Sequence, residues 1–238
     1  MKLPHPVRQF WSKGNHKMQE LKEMIEARHS VRRYKPEYLS VEDESKLIRK
    51  IEEINQESGL SVQFVDGRDT SIPQMQRLVF KRFGGAINYI VMAGKKSDNL
   101  EEKCGYYGEM LVLFAQLIGL NTCWIGMFKQ NNDQIYLGAD EKAVIVIAVG
   151  YGLDNGQSRR SKSYEEVTKN GQDAPDWFRR GVEAALLAPT ARNQQKFCFE
   201  YRDGKAIATT VGGPFTAIDL GIVKCHFELA SGQSMRPE

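Results

Sequence analysis

Seven consecutive apolar residues, Ala143-Val-Ile-Val-Ile-Ala-Val149, restrict this chain more than any other feature. The run is rich in β-branched residues and does not alternate with polar ones, which predicts a strand covered on both faces. Thr122 to Ile125 is a shorter run of the same kind. Val62 to Val65, ended by Asp66-Gly67, and Ile87 to Ala93 are further strand candidates. The covering layers come from amphipathic stripes. Met18, Leu21, Met24 and Ile25 predict a helix running to about Arg28. Ser40 with Asp43 reads as a capping box before the stripe Leu47, Ile48, Ile51 and Ile54. A third helix spans Leu100 to Ile118, with Gly119 as its stop. Asp173 as cap and Pro175 at the first helical position open a fourth, which ends at Pro189. Asp219 to Glu228 is the last. Lys196–Tyr201 and Ala206–Val211 flank Asp203-Gly204 as a β-hairpin. Residues 66–86 and 150–163 read as irregular. Helices and strands alternate without a fixed unit, which argues for an α+β fold with a mixed sheet rather than a doubly wound one.

At 238 residues, one large domain or two small ones are both allowed. Thirty-three Lys and Arg against 30 Asp and Glu leave a charge of +3, too even for a protein devoted to nucleic acid or anionic membrane. Cys104, Cys123, Cys198 and Cys225 form no C-x-x-C pair and read as reduced, buried thiols. His5, His16, His29 and His226 have no metal-ligand spacing, so no metal site is expected. Residues 1–17 are basic and aromatic without the apolar core of a signal peptide, and read as a leader or tag-like segment. Met110 to Phe128 is interrupted by Gln116, Gly119, Asn121 and Thr122, poor material for a membrane span. A cytoplasmic location is the expectation. The P-loop, H-E-x-x-H and G-x-S-x-G patterns are absent, and Gly150-Tyr-Gly152 lacks the third glycine of a dinucleotide fingerprint.

Four segments could carry chemistry. In Arg28-His-Ser-Val-Arg32, an extended backbone turns Arg28, Ser30 and Arg32 to one side, a receptor suited to a phosphate. The alternative is a solvated basic helix end. Ala188-Pro-Thr-Ala-Arg-Asn-Gln-Gln195 brings hydroxyl and amide groups to a helix-to-strand junction, where they could read a heteroaromatic edge or simply line a polar loop. In Gly119-Leu-Asn-Thr-Cys-Trp-Ile-Gly126, Gly126 permits close approach of a planar ligand, while Trp124 and Ile125 suit a core. Arg159-Arg-Ser-Lys162 is either a solvated patch or a second phosphate clamp. There is also an echo. Residues 48–67 and 181–204 both read helix, loop, strand and Asp-Gly, either a partial duplication or the recurrence of a common unit.

Together these segments resemble the nitroreductase family of FMN-dependent oxidoreductases over residues 18–230. The resemblance implies a nitroreductase-like fold, a largely antiparallel sheet flanked by helices. It implies that Arg28, His29, Ser30 and Arg32 hold the FMN phosphate and ribityl chain, with Arg28 or Arg32 reaching the ring. Trp124, Ile125 and Gly126 would lie by the flavin ring, and Arg160 and Lys162 by the phosphate. The family's Ala-Pro-Ser-x-x-Asn-x-Gln-Pro-Trp motif is eroded at its usual place, Asn55 to Ser61. A nearly intact version, with Pro189, Thr190, Asn193 and Gln195, arrives in the echo unit, with Lys196 for Pro and Phe197 for Trp. In homodimeric relatives this motif reaches the flavin held by the other subunit. The implied architecture is therefore a pseudo-dimer in one chain: residues 18–165 as the flavin cradle, residues 175–230 as the partner's share, one FMN per monomer. NADH or NADPH would be the donor and a nitroaromatic, quinone or related small molecule the acceptor, with no catalytic acid, base or nucleophile from the protein. A flavin destructase or dehalogenase-like relative, with residues 66–86 as lid, and a flavin-binding protein without turnover are the alternatives.

Overall fold

Ser40 begins the best-defined helix: its hydroxyl accepts the Asp43 N–H at 3.1 Å, and the chain coils from Val41 to Ser58 (α2) until Gly59 ends it in the left-handed region. The computed structural model of the chain describes residues 16–66, 88–126, 135–235 and 237. The irregular segment expected over 66–86 lies outside them except for Asp66, as do residues 1–15 of the expected leader and Ile87. Before α2 comes α1 (His16–Ala27). After it come β1 (Gln63–Val65), β2 (Asn88–Lys95), α3 (Leu100–Leu117), β3 (Asn121–Ile125) and β4 (Glu141–Gly150). The second half holds β5 (Thr168–Lys169), α4 (Asp176–Leu186), β6 (Phe197–Arg202), β7 (Lys205–Thr210) and α5 (Thr216–Ser231).

The first sheet runs β1-β2-β4-β3, antiparallel at every step. Its center is β4, with the apolar run Ala143 to Val149. Ile145, Ile147 and Val149 join one core, while Ala143, Val146 and Ala148 join another on the opposite face. Val144 is a bulged residue, because Ala93 pairs with Ala143 and Met92 with Ile145. Each fully buried Ile or Val contributes about 1.5–3 kcal/mol, against about 0.5–1.5 for a ladder hydrogen bond, so side-chain burial fixes this register. The second sheet is smaller: β5 runs parallel to β6, and β6 and β7 form the hairpin around Asp203 and Gly204. Those two residues have φ of 52° and 75°, the double left-handed geometry of a type I′ turn. The fold is thus α+β, helices packed with largely antiparallel sheets.

Helices α3 and α5 bring the halves together. A methyl group on Gly221 would lie 2.0 Å from the Glu102 carbonyl oxygen, and one on Gly105 would lie 2.1 Å from that of Ile218. The helices therefore touch backbone to backbone. Two helices begin differently from expectation. Asp173 does not cap α4; Ala174 N–H turns back to Gly171, and Pro175, extended at ψ 158°, occupies the cap itself. Helix α5 starts three residues before Asp219, behind Phe215 at φ 65°.

Candidate functional site

The helical hydrogen bonding of α1 persists to Arg28, whose N–H reaches the Met24 carbonyl, and the chain then straightens along β3. Ser30 bridges Thr122, and Val31 N–H donates to the Thr122 carbonyl at 3.0 Å. Arg32, Arg28 and Ser30 all act on the buried Cys123 thiol, lowering a pKa that burial pushes up to about 11. Their exposures differ sharply: Arg28 is 3% exposed, whereas Arg32 lies in solvent.

Arg28 turns inward across the molecule. Its Nη2 donates to the Leu187 carbonyl at 3.1 Å, joining the end of α1 to the residue just before the Ala188–Gln195 motif. Its Nε lies 3.8 Å from Glu109 Oε1 without a hydrogen-bond partner. Glu109 is fully buried in α3, where Oε2 accepts the Trp124 indole N–H at 3.0 Å and Oε1 lies 2.8 Å from His226 Nε2. Burial lowers the affinity of Arg28 for its proton, and Glu109 opposes that loss.

The Gly-rich loop closes over the same segment. Gly156, at φ 77°, lies so near His29 that a methyl group would sit 2.7 Å from its Cβ. Arg33 grips Asp154 with Nε and Nη2 on one carboxylate oxygen, at 3.1 and 2.7 Å. Farther along the same loop, Arg159 comes near enough to feel the Arg28 charge. Burial, then Arg28, depresses the Arg159 guanidinium to about 10, with Glu109 acting in the other direction. Its Nε has no partner.

The Ala188–Gln195 motif is held by its own side chains and by the loop. Gln195 is consumed internally: Oε1 accepts Lys162 N–H at 2.8 Å, Nε2 donates to Leu186 O at 3.0 Å, and its own N–H donates to Thr190 Oγ1 at 3.1 Å. The Lys162 ammonium donates to the Gln195 carbonyl at 2.8 Å. Arg160 contributes its carbonyl, which accepts from Asn193 Nδ2 at 2.6 Å, while its side chain is exposed. Asn193 Oδ1 is buried and unpartnered. Arg192, Asn193 and Gln195 all have positive φ, of 53°, 54° and 44°. Each such residue costs about 1–3 kcal/mol, and strain of this kind gathers at binding sites. Asp219 anchors the motif from α5, accepting Ala191 N–H and the Gln194 amide, each at 2.9 Å. Burial pushes its carboxyl upward against those two bonds. Pro189 is buried in the turn.

At the end of β3 the side chains of Trp124 and Ile125 face inward. The indole covers Gly108, where a methyl group would lie 2.4 Å from the ring, and Ile125 belongs to the second core. These two residues can offer a ligand backbone, as the core alternative implied for their side chains. Gly126 meets the Phe215 ring, 2.7 Å from where its Cβ would stand.

Residues 28–32, 156–162 and 187–195 therefore form one neighborhood. Gly126 and Phe215 make a second junction between the halves. Sequence reasoning named Arg159 only as part of a possible phosphate clamp, and it passed over Glu109, His226 and Phe215. Arg159 stood inside the basic cluster. Glu109 and His226 carried a readable signal, ionizable residues inside apolar helical stretches, which must be paired when buried. Among the described residues no three His, Cys, Asp or Glu side chains gather as a metal site, and no helix is long and apolar enough to cross a membrane.

The family model described as "Putative TM nitroreductase" matches residues 20–231. The chain belongs to this nitroreductase family. Among solved structures, a Thermotoga maritima protein described as a "putative nitroreductase" matches with TM-score 0.61 at 21% identity, over 88% of this chain and 82% of that one. A nitroreductase family protein of Clostridium difficile 630 matches with TM-score 0.52 at 15% identity, over 62% of this chain and 96% of that one. One from Streptococcus pneumoniae matches with TM-score 0.51 at 13% identity, over 63% and 98%. At these identities the likeness carries the fold of the nitroreductase-family chain. Among curated proteins, none matches its sequence.

Proposed function

We propose that this nitroreductase-family protein is an FMN-dependent NAD(P)H oxidoreductase whose one chain does the work of two subunits. The observation that carries the reading is the Arg28 bond to Leu187, with Arg159 alongside: two cationic side chains gathered where the two halves of the molecule meet. The residues present suit the cofactor. Arg159 Nε is a buried donor without an acceptor, and Asn193 Oδ1 a buried acceptor without a donor. A phosphate oxygen answers the first and a ribityl hydroxyl or ring N–H the second.

Arg159, with Arg28 behind it, would hold the phosphate, while Ser30 and Arg32 border it from the extended segment. His29, Arg160 and Lys162 are assigned supporting parts: His29 packs under Gly156, Arg160 holds Asn193 through its carbonyl, and Lys162 holds Gln195. Pro189, Thr190 and Gln195 shape the loop that presents Asn193. The backbone of Trp124, Ile125 and Gly126 would lie by the ring. Bound FMN would supply the redox chemistry, taking hydride from NADH or NADPH and passing electrons to a nitroaromatic, quinone or related acceptor. The protein's work is orientation and charge, and it needs no acid, base or nucleophile of its own.

The single-chain arrangement has its own support. The Clostridium and Streptococcus proteins are matched over nearly their whole length yet leave more than a third of this chain outside the match. We assign residues 18–165 to the main cradle, residues 175–230 to the partner's share, and the monomer as the working unit. Four free thiols support a reducing, cytoplasmic setting. The test is the visible spectrum of the purified protein. Flavin bands, with FMN released on denaturation and bleaching on addition of NADH or NADPH, are expected. A colorless protein that binds no added FMN would overturn the reading.

A further inference from the structure

The buried contact behind Arg28 has a proton inventory that its geometry makes legible. His226 is fully buried on α5, with Nδ1 3.1 Å from the Ala184 carbonyl oxygen and Nε2 2.8 Å from Glu109 Oε1. Both neighbors are hydrogen-bond acceptors. A neutral imidazole has one N–H, which leaves the other ring nitrogen's lone pair against an oxygen. One extra proton on the Glu109–His226 pair satisfies both contacts. It also makes the pair neutral.

We propose that Glu109 is a positioning residue for Arg28, and that the proton held between Glu109 and His226 sets the charge that the neighboring anion site presents. This rests on the assignment of Arg28 and Arg159 to the flavin phosphate. With the extra proton absent, Glu109 offsets one of the two arginine charges. With it present, both arginines stand uncompensated and match a phosphate, which carries about −1.5 to −2 near neutral pH. Binding the anion and taking up the proton therefore favor each other.

The surroundings fix the sign. Burial pushes the His226 imidazolium below its ordinary value, Glu109 pulls it up, Arg28 pushes it down, and the Ala184 carbonyl pulls it up. Arg159 faces Glu109 from the loop. Cys123 faces Arg28 from β3, and Cys225 and Glu228 interact on α5 itself, where Cys225 also faces Glu109. An anion beside Arg28 cancels its push, so the ring holds its proton to higher pH in the complex than in the free protein. Ligand affinity then rises as pH falls through that window, by at most about tenfold per pH unit for one linked proton. Glu109 is held for this task on two sides, by the Trp124 indole and by His226, and it lies on the helix that meets α5 without intervening side chains.

The experiment is calorimetric titration of flavin-free protein with FMN, in two buffers of different ionization enthalpy, to count protons taken up on binding. His226→Gln keeps a donor for Glu109 but cannot accept the proton, and Glu109→Gln keeps an acceptor for Trp124. The wild type is expected to take up more protons than either variant, by up to about one proton, at and below the ordinary imidazole value of 6.5, because burial holds the ring's pKa down. The free ligand's phosphate titration is common to all three. Equal counts overturn the proposal. If the variants do not fold, nitrogen-15 imidazole spectra of the wild type replace them: one histidine should titrate at higher pH with FMN than without, and an unmoved midpoint overturns the proposal. Inorganic phosphate separates the two readings. A shift with phosphate, where FMN does not bind, retains the linked pair and removes the flavin assignment; binding of neither ligand removes both.

Discussion

Arg159 and Arg160 are neighbors in sequence with opposite fates: the first points beside Arg28 and loses solvent, the second stays in water and lends its carbonyl to Asn193. Arg159→Ala should therefore weaken FMN binding by about 1.5–3 kcal/mol, roughly 10- to 150-fold, the scale for a hydrogen bond to a charged group. Arg160→Ala should change it by less than about 1 kcal/mol, the scale of an exposed charge. Fluorescence quenching of FMN on titration with each variant gives both numbers, and equal losses would reject the distinction. At this scale the sequence told which segments matter better than which atoms. The extended backbone read for Arg28 to Arg32 is there, bridged to β3 through Ser30 and Thr122. Gln195, by contrast, reads in sequence as a free amide, and only its three partners from Leu186, Thr190 and Lys162 reveal that it is spent on the loop. Partners far along the chain are what a local pattern cannot encode.

Elements were legible where local chemistry decides them. The Ser40 cap, the Gly119 stop at φ 82° and the Asp203-Gly204 turn all carry their conformation in the residue type. Strand β5, two residues long, was not legible, because its parallel pairing with β6 joins Thr168 to Phe199 across the chain. The start of α5 was hidden by Phe215, an aromatic residue in a backbone region that such residues seldom enter. The meeting of α3 and α5 gives a sharp expectation. Gly221→Ala would thrust a methyl group against the Glu102 carbonyl, so the helices must part, at a cost of about 1–3 kcal/mol or more. A urea midpoint equal to wild type would contradict backbone contact between the helices.

For the whole molecule, the lesson is that both sides of the proposed site travel on one polypeptide. One FMN per chain is the expected stoichiometry, because the second unit has no Arg-x-Ser-x-Arg of its own. Flavin absorbance against polypeptide concentration, with sedimentation for assembly state, measures this; two equivalents would refute it. Retention of the flavin should also be insensitive to dilution of the protein, since no subunit has to return. The general order of helices and strands could be read from the residues, but the closing of the Arg28 segment on the loop after α4 depended on contacts such as Arg28 with Leu187, 159 positions apart. The glycine crossing at Gly105 and Gly221 carries this coupling further. Glu109 lies four residues beyond Gly105 on α3, and His226 five beyond Gly221 on α5. Where the glycines meet, backbone rests on backbone, and that contact limits how far apart the helices carrying Glu109 and His226 can stand.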